Sequence, residues 1–147
     1  MMRHAQSDAN VGNMYKDSNI TEFGVQQASK IAGNFDLAIC SPLKRTQQTL
    51  KSSKIVYNNI IISNNCREYL DGNICNVLDH ETKYAETLGE FLIRIHNFKV
   101  QIKSYLNLPN PPNSILIVSH GSFMYHFMNH KKEIANCEIF DISKMFK

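Results

Sequence analysis

Long apolar runs are missing from this 147-residue sequence, and none approaches the roughly 20 residues that cross a bilayer as a helix. No basic-then-apolar leader opens the chain, which argues against secretion. Clustered positive charge is equally scarce. The net charge of +3 is spread along the chain without a Lys/Arg block, a distribution that suits small anions better than nucleic acid. Cysteine is sparse: Cys40, Cys66, Cys75 and Cys137 form no C-x-x-C pair, so reduced thiols and a cytoplasmic location are expected. Internal repeats and long linkers are absent, and a hydrophobic fraction of 43% predicts a single domain over residues 1–147 with a substantial core.

What is present alternates between strand and helix signals. Residues 8–20 are polar and read as a surface loop. Thr21 followed by Glu22 opens a helix with a loose apolar face of Phe23, Ala28, Ile31 and Ala32, stopped by Gly33-Asn34. Asp36 to Cys40 is a short apolar run of buried-strand type. Ser41-Pro42 starts the next helix, with Ser41 as cap and Pro42 in the first turn, running to about Ser53. Ile60-Ile61-Ile62 reads as a second strand. The longest helical pattern runs from Thr82 or Ala85 to about Leu106, with Leu88, Phe91, Leu92, Ile95, Phe98 and Ile102 on one stripe. Pro109, Pro111 and Pro112 end it. Ser114 to Ser119 is the clearest buried strand, followed by a helix from Gly121 to near His130 and a final strand over Asn136 to Ile142. The order predicts an α/β fold with a parallel sheet.

Chemistry-bearing residues fall where strands give way to helices. Arg45 lies at the start of the helix after the Asp36–Cys40 strand, and His120 directly follows the Ser114–Ser119 strand. The carboxyl ends of parallel strands are where α/β sheets bind ligands, and helix N-termini there offer free N–H groups to anions. Arg3-His4 joins them if Met1-Met2 ends another strand. Arginine matches phosphate oxygens in a fixed fork, and a neutral imidazole is a nitrogen nucleophile. His126 and His130 are read as a helix-surface pair, since no Cys or carboxylate completes a metal site with them. No metal and no cofactor is expected.

In this order the motifs resemble those of the histidine phosphatase superfamily, the phosphoglycerate mutase-like fold, and the resemblance implies a three-layer α/β/α fold with a mostly parallel central sheet. Arg3-His4-Ala5-Gln6-Ser7 with Asn10 resembles the opening Arg-His-Gly signature and its later Asn, and Asn19 to Ala28 the "L-T-x-x-G-x-x-Q-A" helix start. Ser41-Pro42-Leu43-Lys44-Arg45-Thr46-Gln47-Gln48-Thr49 resembles "S-P-L-x-R-x-x-Q-T". Arg67-Glu68 with Gly72 resembles "R-E-x-x-x-G", and Val118-Ser119-His120-Gly121 is similar to the closing "V-S-H-G". The resemblance implies that His4 is the nucleophile and forms a phosphohistidine, that Arg3, Asn10, Arg45 and His120 hold the phosphate, and that Glu68 protonates the leaving alcohol. Such chemistry depends on positioned cations around the phosphoryl oxygens. Proton donation by a carboxyl near neutral pH calls for a raised pKa, which an adjacent phosphate dianion favours.

The implied activity is hydrolysis of a small phosphorylated substrate or a phosphoprotein, without nucleic-acid or membrane partners; no oligomeric state follows. Few residues beyond the long helix separate Glu68 from His120, so the substrate cap is small. A phosphoglycerate-type mutase and a catalytically impaired phosphate-binding module are the alternatives. Three departures from the family pattern stand out: Ala5 in place of Gly, Gln6 where many members carry Glu, and only Met1-Met2 ahead of Arg3. Two residues are too few for a full central strand, so the first strand is expected to be truncated, or the protein to start further upstream.

Overall fold

A computed structural model describes residues 1–147. Alternation along the strands sets its layers. Leu37, Ile39 and Ile117 enter one buried cluster with Phe91, Ile95 and Phe98, while Ala38, Cys40, Leu116 and Val118 enter a second with Leu50 and Ile55. Neighbouring residues of one strand point to opposite faces, so each strand feeds both cores. The result is the expected α/β/α arrangement.

The elements run β1 (Met2–Arg3), α1 (Glu22–Ser29), β2 (Ala32–Cys40), α2 (Lys44–Ser52), β3 (Lys54–Ile62), α3 (Leu88–Leu106), β4 (Ile115–Ser119) and α4 (Gly121–Phe127), with short 3-10 turns between them. The four strands pair in the order β1-β4-β2-β3, all parallel. Helix α3 begins at a complete capping box: Thr87 Oγ1 accepts from Glu90 N, and Glu90 accepts from Thr87 N. That box places the helix start at Leu88, several residues later than Thr82 or Ala85. Phe91, Ile95, Phe98 and Ile102 carry the buried stripe; Leu88 and Leu92 are exposed, because the covered face is narrower than the apolar pattern. Burying each such side chain fully is worth about 1.5–3 kcal/mol.

Several boundaries differ from the expectation for local reasons. Helix α1 stops at Ser29, and Ile31 already accepts from Lys54 N, so strand pairing claims the residues read as the helix end. Strand β2 therefore begins at Ala32. Helix α2 begins at Lys44, and its first amide is satisfied by Asp17 Oδ1 at 2.7 Å rather than by Ser41. Ser41 is diverted to the site described below. Helix α4 ends at Phe127, so His126 and His130 do not share a helix; they lie against Phe91 and Phe140 respectively.

Strand β1 is short, as expected, yet it is paired on both sides. Met2 and Arg3 are in register with Val118 and Ser119 of β4. On the other side Arg3 N donates to Glu138 O, and Phe140 N donates to Met1 O. The stretch read as a final strand thus forms only a single antiparallel bridge, Met2 to Ile139, because its partner is only two residues long. Cys137 completes the fastening: its N–H lies 3.1 Å from Arg3 O and 3.2 Å from His4 O. It does so with φ at 61°, a left-handed conformation costly for a residue with a Cβ.

Candidate active site

The loop after β1 is bound to two helices. Ala5 N donates to Thr49 Oγ1 of α2, and Gln6 N donates to Gln27 Oε1 of α1. Thr21 Oγ1 accepts from Gly24 N and donates to Gln6 Oε1. Gly24 has a physical reason: a Cβ there would stand 2.2 Å from Gln6 O. Gln6, one of the departures from the family pattern, is thereby a tether between the loop and α1.

His4 is buried with both ring nitrogens committed. Nδ1 lies 2.6 Å from Ala5 O, and Arg45 Nε donates to Nε2 at 3.2 Å. A carbonyl only accepts and a guanidinium only donates, so the ring is neutral, with its proton on Nδ1 and its lone pair on Nε2. Burial, with the charges of Arg45 and Arg3, holds the His4 pKa well below the usual 6.5. Arg45 is itself buried and fully fastened, donating from NH1 to Cys75 O at 2.8 Å and from NH2 to Asn76 Oδ1 at 2.7 Å. Burial lowers its pKa, opposed chiefly by the charge of Glu68, and a guanidinium remains cationic.

His120 packs against His4 with ring centroids 5.2 Å apart. Its Nε2 lies 2.8 Å from Ser41 Oγ, and Nδ1 is buried with no partner in the protein. Burial, followed by Arg45 and His4, depresses its pKa well below 6.5. Arg3 reaches Ile134 O through NH1, and its Nε is likewise buried and unpartnered. Gly121 leaves it room, since a Cβ there would come within 3.3 Å of the guanidinium carbon. Two unsatisfied buried nitrogens in one site are costly unless an acceptor engages them.

Glu68 stands at the N-terminus of α4. Its carboxylate accepts from Phe123 N at 2.9 Å, Ser122 N at 3.2 Å and its neighbour Tyr69 N at 3.0 Å. Beside it and Arg3 opens a cleft of about 240 Å³ that also involves Tyr125, His126 and Glu133. Asn10 makes no direct hydrogen bond to Arg45 or His120. Its Oδ1 accepts from Ser7 N at 2.9 Å and from Asn136 Nδ2 at 3.2 Å, and Asn136 Nδ2 also donates to His4 O.

A second ring of residues, given no role by the sequence motifs, positions the first. Asn76 O accepts from Arg67 NH2 at 2.6 Å while its side chain holds Arg45. Arg67 forms a two-pronged pair with Glu81 at 2.7 and 2.9 Å. Arg94 of α3 donates to Arg67 O at 2.7 Å and Glu68 O at 3.1 Å, and pairs with Glu86. Arg94 had a legible signal: it lies three residues after Phe91 and four before Phe98, a charge on the buried stripe. Asn76 had none, because the Arg45 it holds lies 31 residues away on α2. No group of three or more His, Cys, Asp or Glu side chains is placed to hold a metal ion. No helix is long and apolar enough to cross a membrane.

Solved structures share this architecture. Alpha-ribazole phosphatase from Shigella flexneri superposes with a TM-score of 0.61 at 21% identity, covering 86% of this chain and 75% of that one. Phosphoserine phosphatase from Entamoeba histolytica, in complex with 3-phosphoglyceric acid, gives 0.61 at 19%, covering 92% and 85%. Mycobacterial glucosyl-3-phosphoglycerate phosphatase gives 0.60 at 15%, covering 93% and 85%. At these identities the likeness defines the fold, that of the phosphoglycerate mutase-like phosphatases. No curated protein sequence matches the chain. The family model of the histidine phosphatase superfamily (branch 1) matches residues 1–74. The chain therefore belongs to the histidine phosphatase superfamily.

Proposed function

We propose that this protein hydrolyses small phosphomonoesters through a phosphohistidine on His4, residues 1–147 acting as one domain. The observation that carries this reading is the committed state of His4: neutral, with the Nε2 lone pair beside the Arg45 guanidinium and the ring 5.2 Å from His120. Fixed cations around a nitrogen nucleophile are what in-line phosphoryl transfer requires. In the first step the Nε2 lone pair forms a bond to phosphorus, and the bond to the alcohol oxygen breaks. Protonated Glu68 gives its proton to that oxygen. In the second step water attacks phosphorus, its proton passes to the Glu68 carboxylate, and the N–P bond returns its electron pair to Nε2.

Arg3, Arg45 and His120 would hold the phosphoryl oxygens throughout. The buried Arg3 Nε and His120 Nδ1, both without protein partners, support this assignment. In the tautomer where Ser41 donates to His120 Nε2, Nδ1 carries a proton aimed at an acceptor. Asn10 enters as a phosphate contact through its amide nitrogen, its carbonyl being taken. The phosphatases that share the fold are named for small phosphomonoesters, which fits a substrate of that class. Buried free thiols at Cys40, Cys66 and Cys75 suit a cytoplasmic setting.

The experiment is steady-state hydrolysis of an aryl phosphate by the wild-type chain and by His4→Ala, in excess chelator. Turnover by the wild type and its loss in the variant are expected. Equal background rates would contradict the proposal and favour a phosphate-binding module, whereas phosphate exchange between phosphoglycerates without net hydrolysis would favour a mutase.

A further inference from the structure

The cleft beside Glu68 bears on which alcohol leaves. It adjoins the proposed reaction centre through the phosphate-holding Arg3 and the proton donor Glu68, and its remaining walls come from the start of α4 and the loop around Glu133. Its charges are unequal. Arg3 is its only permanent cation, and that side chain is tied to Ile134 O and would face the phosphate. Glu68 and Glu133 contribute carboxylates. Lys131 and Lys132 precede Glu133 on the same exposed loop but do not line the cleft.

Once the phosphate neutralises Arg3 and Glu68 carries the proton it is to donate, Glu133 is the one remaining carboxylate charge of the lining. It is exposed and has no hydrogen-bond or ion-pair partner of its own; burial lowers the Arg3 pKa, and the charge of Glu133 opposes that, after Glu68 and ahead of Glu138. His126 Nδ1 lies 2.8 Å from Ser122 O, which leaves Nε2 to accept or donate. An alcohol seated here therefore meets a negative wall with hydrogen-bonding groups from Tyr125 and His126. A carboxylate on that alcohol would be repelled, and an ammonium attracted.

We infer that this cleft receives the leaving alcohol and selects small amino-alcohol monophosphates, their ammonium resting against Glu133, over monoesters whose alcohol carries a carboxylate. The inference rests on the phosphatase reading above and adds the chemical class of the substrate.

The test uses the full chain and two esters of similar size with oppositely charged alcohols, O-phosphoethanolamine and 2-phosphoglycolate. The readout is the ratio of their kcat/KM values in the wild type, Glu133→Gln and Glu133→Lys. Comparing ratios cancels the intrinsic reactivity of each ester and any loss of folded enzyme. Wild type is expected to exceed Glu133→Gln in this ratio by about fivefold at low salt, the scale of one exposed ion pair. Glu133→Lys should move the ratio further the same way, and added salt should compress the differences. A ratio that neither substitution moves would overturn the inference, as would turnover of the aryl phosphate with neither ester accepted. Absence of turnover on the aryl phosphate as well would overturn the underlying phosphatase reading along with it.

Discussion

The two ends of the sheet make opposite use of burial. At the carboxyl end, where β1, β2 and β4 deliver Arg3, Ser41 and His120, buried side chains are polar and almost every one is tied to a named partner. At the amino end of β4 lies a cavity of about 420 Å³ lined by apolar groups such as Met1, Phe35, Ile102, Ile115, Ile117 and Phe140. It is larger than the cleft beside Glu68, yet it holds no convergent set of charges. Volume alone therefore does not mark the site in this protein. The carboxyl end carries the costs of desolvated arginine and imidazole, which a fold bears only where each group is held.

Three interventions probe that contrast. The largest effect belongs to Arg45→Ala, which removes the donor on His4 Nε2 and the bonds to Cys75 O and Asn76. A loss of about 10²–10³-fold in kcat is expected, the scale of removing one positioned donor, measured by steady-state kinetics on an aryl phosphate. Next comes Ile102→Ala, a buried side chain lining the amino-end cavity. It should cost about 2–5 kcal/mol in denaturant unfolding while kcat of the folded fraction stays near wild type. A kcat loss comparable to that of Arg45→Ala would erase the division between the two ends.

The smallest effect is a pH dependence of stability. His4 and His120 are held neutral when folded, their pKa values depressed below 6.5 by burial first and by Arg45 next. In the unfolded chain they take up protons as pH falls through about 6.5. The unfolded state then binds more protons, so stability present at pH 7 and above is lost as pH drops below that value. Each histidine contributes a slope of at most about 1.4 kcal/mol per pH unit. Unfolding midpoints between about pH 7.5 and 5 report it, and replacing His120 by Gln should flatten the curve. Carboxylates held low, such as Glu81 beside Arg67, act in the same direction only at more acidic pH.

Much of this architecture is legible in the residues themselves. The strand-to-helix transitions at Cys40 and Ser119 are readable from apolar runs meeting Ser41-Pro42 and His120-Gly121, and they bring Arg45 and His120 to His4. Glu68 is readable as a motif residue, but its seat on the amides of Ser122 and Phe123 is not, because it depends on a loop meeting a helix 54 and 55 residues away. The same holds for Asp17 at the start of α2 and for Asn76 behind Arg45. Local patterns predict elements; they carry no information on which distant loop satisfies an orphan amide. Strand β1 illustrates the reverse failure. Two residues are too few for a strand alone, yet flanking bonds to β4 and to residues 138–140 hold them in place.

That His4 Nε2 receives the phosphoryl group is the claim on which the rest depends. It is tested by rapid acid-free quenching of the wild-type chain during turnover, followed by peptide mass spectrometry. The expected result is a phosphoryl group on His4, stable to base, lost in acid and absent in His4→Ala. Turnover of the same ester at full rate with no phosphorylated His4 peptide, or with the group on another residue, would contradict it.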